Sequence, residues 1–464
     1  MTPASATMTH RFEPAGAAAA RSPAGCDACF DRLQLAGRGD VVVAVSGGGD
    51  STALLHLFHD YVARIAPQLR VHAVTVDHAL RPEAAAEASH VAAVAAGLGV
   101  PHRILRWQGD KPRTGLIEAA RAARHGLLAQ AAREANTDLV LVGHTLDDQA
   151  ETLAMRAERG TGRGDAGIAP ATLFDWDIWF ARPLLTMRRA ALRQWLRERN
   201  HAWIDDPTND DRRYERARAR AELAVDRRRV AALVSIASAA ARDRETHGRQ
   251  AAGMIERLAD MPMPGLFRLA AEITSMPDQH AALYALRILL AVAGGRAHLP
   301  DTARSAHLMR RLAAGQPFRA TLSGAVAERR GAALFLTREA RGLPDQMSFR
   351  PGLWDNRFRL GGGTGLVVGL PDEETVADRL AKASGGLPVR LARRALSGLP
   401  ALWRGDACLA LAGDAGAGAL RPVVAPWARW LPSFDHAPAC AAARLVGEKE
   451  PPAPPLAAAK PHET

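Results

Sequence analysis

Residues 41–57 read VVVAVSGGGDSTALLHL. A β-branched run ends in three glycines set between Ser46 and Ser51, then flows into an apolar segment with helical spacing. That is the pattern of a strand, a tight turn and a helix start. At Gly47, Gly48 and Gly49 the missing side chains let backbone N–H groups face inward. The N-terminus of the following helix brings unpaired donors and partial positive charge to the same concavity. A nest of this kind binds phosphate. Its spacing is neither G-x-x-x-x-G-K-S/T, so no loop lysine reaches a terminal phosphate, nor G-x-G-x-x-G.

Outward from this loop, strands and helices alternate. A helix is expected over 52–65, with Leu54, Leu55, Phe58 and Val62 on one face. A strand over 71–76 ends at Asp77-His78-Ala79-Leu80-Arg81, and a helix over 83–98 precedes a strand over 101–107. A helix over 115–135 leads to a strand over 138–142 that runs into Gly143-His144. This order predicts an α/β fold, a doubly wound parallel sheet with helices on both faces. Ligands of such sheets sit beyond the C-terminal strand ends. Ser46, Asp77, His78, Gly143 and His144 are therefore expected to converge on one crevice.

The segment after that last strand, GHTLDDQAET over 143–152, is dense in acids. A helix beginning near Asp147 places Asp148 and Glu151 on one face. Acids there suit a solvated first turn favoured by the helix dipole, Mg²⁺ held beside phosphates, or the neutralisation of a cationic substrate. The residues leave these three readings open.

Length and charge set the wider frame. A chain of 464 residues calls for two or three domains. The formal charge of +11 favours an anionic partner, most simply nucleic acid. Between Arg182 and Arg229 fourteen arginines face eight acids, a surplus of six. Such a stripe neutralises phosphates, and over 183–199 it accompanies a helix with Leu192, Trp195 and Leu196 inward and Arg188, Arg189, Arg193 and Arg197 outward. Four cysteines are too few for a disulfide scaffold. Cys26 and Cys29 lack a second pair to complete a metal site, and read as part of a short amphipathic helix. Residues 1–25 carry no signal-peptide core and are expected to be disordered, with the cytoplasm as the default location and no membrane span. The catalytic region is assigned to 26–220, a mainly helical domain to 221–341, a small mixed α/β domain to 342–447 and a disordered tail to 448–464. Within them a hairpin is expected over 318–337, turning at Arg329-Arg330-Gly331. Short strands packed by Trp354, Trp403, Trp427 and Trp430 are expected further on.

The loop resembles the S-G-G-x-D-S motif of the ATP pyrophosphatases, with their adenine nucleotide α-hydrolase-like sheet. SGGGDS, VDHALR (76–81), GHTLDDQAET, RGTGRGDAG (159–167) and DPTN (206–209) then follow in an order similar to the tRNA(Ile)-lysidine synthetases, over roughly residues 39–220. That resemblance implies adenylation of the wobble cytidine of a tRNA(Ile) with a CAU anticodon, using ATP and Mg²⁺, and displacement of AMP by the ε-amine of free L-lysine. It implies that Ser46, Gly47, Gly48, Gly49, Asp50 and Ser51 hold the pyrophosphate side, with Asp50 organising Mg²⁺ or the loop. Asp77, His78 and Arg81 belong to the nucleotide site, and His144 is suited to stabilising phosphate or the base. Asp148 and Glu151 bind the lysine ammonium groups or deprotonate the amine. Arg121, Arg216, Arg218 and Arg220 are the expected RNA contacts. Two departures stand out: Asp165-Ala166-Gly167-Ile168 where the family has glycine-leucine, and Ala217 where it favours asparagine between arginines.

Other readings compete. A tRNA thiolase with the same loop needs cysteines within or beside it, and only Cys26 and Cys29 are available. An amidotransferase calls for a glutaminase domain ahead of the loop. A nucleotide-binding regulator of the same sheet class needs no arginine stripe.

Overall fold

Val41, Val42 and Val43 are completely buried in strand β1 (Asp40–Ala44), because the sheet they belong to is covered on both faces. The computed structural model describes residues 26–80, 84–157, 163–205, 213, 215–382, 386–414 and 416–456. After helix α1 (Cys26–Asp31) and β1 come α2 (Gly49–Ile65), β2 (Arg70–Asp77), α3 (Ala84–Gly97), β3 (His102–Arg106), α4 (Leu116–Glu134), β4 (Leu139–Val142) and α5 (Leu146–Ala157). A hairpin follows, β5 (Ala171–Phe174) and β6 (Ile178–Ala181), and then α6 (Arg189–Glu198) and α7 (Glu215–Val225). Strands β3, β2, β1, β4 and β6 run parallel in that order. Strand alternation divides the core: Val41 and Val43 pack with Leu54, Phe58 and Val91, and Val42 with Leu128 and Ala132 on the other face. The expected α/β sheet is present.

Its far edge was not legible locally. β5 is antiparallel to β6, and a strand from the other end of the chain, β19 (Trp430–Pro432), pairs antiparallel with β5. Between β5 and β6, Asp175 and Trp176 both take positive φ, 49° and 74°, which non-glycine residues adopt only in a held turn.

Helix α8 (Arg227–Leu258) runs 32 residues and leads into a second sheet. β7 (Ala259–Met263), β8 (Leu266–Ala270), β9 (Phe318–Leu322), β10 (Ala325–Arg330) and β11 (Ala333–Arg338) form five antiparallel strands in the order β7-β8-β11-β10-β9, backed by α9 (Gln279–Gly294) and α10 (Thr302–Ala313). The turn expected at Gly331 joins β10 to β11. The sequence reading missed β7 and β8, whose hairpin over 259–270 has Pro262 and Pro264 near its turn.

Beyond residue 342, β12 (Met347–Ser348), β15 (Val367–Gly369), β16 (Ala401–Arg404) and β17 (Ala407–Leu411) form one small sheet. β13 (Gly352–Trp354), β14 (Phe358–Leu360) and β18 (Leu420–Pro422) form another. Helices α11 (Glu373–Lys382) and α12 (Val389–Ser397) accompany them. Trp354 fills their core as expected, with Trp403 at its margin. Trp427 and Trp430 instead serve the large sheet: Trp427 joins the main core, and Trp430 stands edge-on to His125 at 4.6 Å. Helix α13 (His436–Val446) shares the main core with Ala251 and Ile255 of α8. The proline-rich end also corrects the expectation of disorder from Glu448. The Gln34 N–H donates to the Pro455 carbonyl at 2.8 Å, Leu456 bridges to Leu33, and the Trp176 indole N–H donates to the Lys449 carbonyl at 2.8 Å. Among the described residues no helix is long and apolar enough to cross a membrane.

Asp435 ties these pieces together. Fully buried, it accepts from Arg244 Nε at 2.9 Å and Nη2 at 2.6 Å, from the Tyr284 hydroxyl at 3.1 Å and from the Trp427 indole at 3.2 Å. Removing one partner of a buried pair strands the other charge. Asp435→Ala is expected to lower unfolding free energy by about 3–5 kcal/mol, read as a reduced denaturant midpoint at unchanged slope.

Candidate active site

The loop between β1 and α2 is built before any ligand arrives. Gly47 takes φ 86°, and a Cβ there would meet Ile204 Cδ1 at 2.9 Å, because the Ile204 N–H donates to the Gly47 carbonyl at 2.9 Å. The Ser51 hydroxyl donates to the Gly48 carbonyl at 3.0 Å and accepts the Ser46 N–H at 3.1 Å. Ser46 Oγ stands 3.1 Å from Ser51 Oγ, and the Thr52 hydroxyl donates to the Gly47 carbonyl at 3.2 Å. The serines thus staple the turn. No side chain caps the helix start at Gly48 and Gly49, so the first N–H groups of α2 remain available to an anion. Strand β4 ends close beside them: a Cβ on Gly143 would lie 3.0 Å from Ser51 N and from the Asp50 carbonyl. Ser46, Gly47, Gly48, Gly49, Asp50 and Ser51 come together as expected.

Next to this nest, one guanidinium gathers three carboxylates. Arg189 Nε donates to Asp50 Oδ2 at 2.9 Å, Nη2 to Asp148 Oδ1 at 3.0 Å and Nη1 to Glu151 Oε1 at 2.8 Å. Its backbone N–H donates to Asp147 Oδ2 at 2.7 Å, and Arg188 Nη2 pairs with Asp147 Oδ1 at 2.9 Å. Asp147 therefore holds the start of α6 in place. This corrects the reading of Arg188 and Arg189 as outward-facing. A signal was present: positions 189, 192 and 196 share one helix face, that of the buried Leu192 and Leu196.

Helix α7 closes the other side. Its Ala219 and Leu223 pack against Ala150 and Ala154 of α5, and small residues there let the helices approach. Arg216 and Arg220, four apart, then reach across. Arg216 Nη2 donates to Asp148 Oδ1 at 2.6 Å and its Nε to Glu151 Oε2 at 2.9 Å. Arg220 Nε donates to Glu151 Oε1 at 2.8 Å. Arg218 turns elsewhere and donates to the Arg213 carbonyl at 3.1 Å. Asp148 Oδ2 also accepts the Thr145 N–H and hydroxyl, each at 2.7 Å, which fixes the first turn of α5. Glu151 is 1% exposed and Asp148 7%. Burial alone would raise the Glu151 carboxyl, but the guanidiniums of Arg220 and Arg189 outweigh it and hold it below its ordinary value. Asp50 goes the other way, raised by burial despite Arg189. Its Oδ1 is buried with no hydrogen-bond partner, as expected of an oxygen kept for a hard cation.

At the strand ends, His144 is half-buried, and desolvation first, then Arg182, Arg124, Arg216 and Arg121, pull its imidazole well below the ordinary value; its Nδ1 is buried with no partner. Arg124 and Arg182 escaped the sequence reading. Burial and the neighbouring guanidiniums push them down to about 10 and about 9. Arg182 Nη1 donates to the Ala169 carbonyl at 3.0 Å and the Thr172 hydroxyl at 3.0 Å. Arg121 is exposed at the rim. Asp77 Oδ1 accepts the Ala79 N–H at 2.7 Å and shapes the turn. His78 stands edge-on to Trp107 at 6.1 Å, with Lys111 Nζ 3.9 Å over that ring. Arg81, residues 159–162 and residues 206–209 lie outside the described residues.

The departures have local reasons. Ala166 packs in a small cluster with Ala169 and Phe434. Gly167 sits where a Cβ would fall 2.5 Å from Gln149 Oε1; that oxygen accepts the Ile168 N–H at 2.5 Å. Ala217 is buried on α7. Cys26 is buried too, its thiol pushed up to about 12 chiefly by burial, so it stays protonated core rather than a ready ligand.

The sequence profile of the PP-loop domain family matches residues 27–226. A "tRNA(Ile)-lysidine synthase" of Mesorhizobium japonicum is 48% identical over 89% of this chain and 94% of its own. Another of that name from Rhizobium meliloti is 37% identical over 90% of this chain and 93% of its own. A solved U34-tRNA thiolase from Methanococcus maripaludis overlays 47% of this chain and 77% of its own, with TM-score 0.40 at 16% identity.

Proposed function

The chain belongs to the tRNA(Ile)-lysidine synthase family, and from that premise we propose how its own residues divide the reaction. The enzyme uses ATP to join free lysine to the wobble cytidine of tRNA(Ile), whose CAU anticodon would otherwise be read as a methionine anticodon. The cytoplasm, where all three substrates meet, is the proposed location. One observation carries the division of labour: a single guanidinium, Arg189, touches Asp50 at the nucleotide loop and both Asp148 and Glu151 beyond it. The nucleotide side and the amine side therefore share a wall.

The cytosine oxygen is a poor leaving group until it carries an adenylate. The uncapped N–H groups at Gly48 and Gly49, with Ser46 and Ser51, hold the pyrophosphate side so that the α-phosphate faces the base. Asp50, through its unpartnered Oδ1, would hold Mg²⁺, which supplies neutralisation of phosphate charge when bound. Asp148 and Glu151 receive the lysine ammonium. A carboxyl held ionised by neighbouring guanidiniums is a better anchor for a cation than a base, which favours the first of the two roles open for Glu151. Neutral His144, with Arg121 and Arg124, offers hydrogen bonds and positive potential to the nucleotide entering the crevice.

Incubation with ATP, labelled lysine and total tRNA tests the reading, with label expected in RNA. Ser51→Ala combined with Asp50→Ala should abolish ATP-dependent pyrophosphate release. Full release by that variant would remove the loop from the reaction.

A further inference from the structure

The carboxylates assigned to the lysine ammonium are already taken. Asp50, Asp148 and Glu151 face the three guanidiniums of Arg189, Arg216 and Arg220, so the cluster is formally neutral and holds no charge in reserve for an incoming cation. We propose that Arg216 and Arg220 form a latch opened by RNA: phosphodiester groups draw these two guanidiniums off Asp148 and Glu151, and the vacated carboxylates then accept lysine. The inference rests on the amine site proposed above and adds an order of binding to it.

The three arginines are not equivalent. Arg189 is 14% exposed and anchored by Asp147 at its backbone. Arg216 is 42% and Arg220 27% exposed, so both can be reached from solvent on the α7 side. A guanidinium exchanges a carboxylate for a phosphate at little cost, since both accept its paired donors. A destination for the phosphate lies alongside. Arg121, Arg124 and Arg182 cluster around His144, which also feels Arg216, and Arg124 feels Arg216 directly. Among the described residues none of those three has a carboxylate partner, and the Nε atoms of Arg124 and Arg182 are buried without an acceptor. Concentrated positive charge with no anion of its own is a place for RNA phosphate to land. A phosphate at Arg124 lies within the electrostatic reach of Arg216 and competes for it.

The consequence follows from burial. Once Arg216 and Arg220 leave, Glu151 keeps Arg189 alone, and a carboxylate set this deep and short of cations demands one. The lysine ammonium fills that role. RNA and lysine must then strengthen each other's binding by one common factor.

The test is equilibrium dialysis of labelled lysine against the full chain without ATP, with and without a saturating tRNA(Ile) transcript carrying the CAU anticodon. The transcript should tighten lysine binding by about 10-fold or more. Arg216→Gln with Arg220→Gln should bind lysine without RNA about as tightly as the unaltered protein binds it with RNA. The slope of log tRNA affinity against log salt should become shallower by about 1.4 in that variant, for two lost single-strand contacts. If the double variant no longer gains thermal protection from ATP, Arg216→Gln alone carries the test, and its lysine affinity without RNA should still rise. Lysine affinity indifferent to RNA in the unaltered protein, or variants that bind lysine no tighter than it does, would overturn the latch. Asp148→Asn separates this failure from a deeper one. If it loses lysine binding in the presence of tRNA, the amine site stands whatever becomes of the latch; if it binds lysine normally, both fall.

Discussion

Arg189→Gln is expected to stop both halves of the reaction, with pyrophosphate release and lysine incorporation each falling on the order of 10³-fold. The reason is geometric. Arg189 reaches Asp50, Asp148 and Glu151 through its three guanidinium nitrogens, at 2.9, 3.0 and 2.8 Å. A glutamine carries no charge and two amide donors on one nitrogen, so Asp50 loses its ion pair, while Asp148 keeps only Arg216 and Glu151 only Arg216 and Arg220. Three carboxylates then share two guanidiniums, neither of which reaches Asp50, and their repulsion displaces Asp50 from the loop and shifts Glu151 from the amine. Arg189→Lys should rescue little, because an ammonium is a point charge that cannot span three acceptors. Folding and chemistry are separable here. The variant should lose about 3–5 kcal/mol of stability, the usual cost of breaking a buried pair, yet remain folded at low temperature, where near-ultraviolet dichroism can be compared with the activity loss. Pyrophosphate release within tenfold of normal in a folded Arg189→Gln protein would deny Arg189 its role as the shared wall.

Arg189 also shows where sequence reading stops. Strand ends and the glycine loop were legible because each is a local pattern: β-branched runs, three glycines, a helix start. The acids of α5 were legible as one face by spacing alone. Arg189 was not, since in a stripe of arginines every member looks like a solvated charge until the partner is known. Asp50 lies 139 positions away and Glu151 lies 38 away, and no periodicity links them. Arg216 and Arg220 were expected to face RNA, and the structure turns both onto Asp148 and Glu151, with only Arg218 left on the outer side. The same limit explains β19. Its three residues carry no strand signal of their own and become a strand because β5 offers an unpaired edge. The competing thiolase reading falls with the family assignment, and the burial of Cys26 and Cys29 agrees with that outcome.

Glu151→Gln should separate the two half-reactions that Arg189→Gln destroys together. The substitution keeps the shape of the side chain and one acceptor oxygen, so α5 and the loop stay in register and ATP-dependent adenylation should change only a few-fold. Lysine incorporation should fall on the order of 10²–10³-fold, because the charge that receives the ammonium is gone. The pH profile then distinguishes anchor from base. In the free protein, against the effect of burial, Arg220 and Arg189 hold the Glu151 carboxyl below its ordinary value; with tRNA bound, Arg189 and the lysine ammonium keep it ionised. A depressed carboxyl contributes stability that is present above its unfolded pKa of about 4.3 and lost as pH falls through the lower folded value. It therefore has no transition left to make at neutral pH. The attacking amine does: only its neutral form is nucleophilic, and its unperturbed pKa is about 10.4. With Glu151 as an anchor, the lysine-dependent step in single turnover of preformed adenylated tRNA should climb with pH from 6 toward 9, nearly tenfold per pH unit, and the Gln variant should climb in parallel at a lower level. A plateau near neutral pH in the unaltered enzyme that disappears in Glu151→Gln would instead mark Glu151 as the base, and would mean that bound lysine itself reverses the charge balance the arginines set.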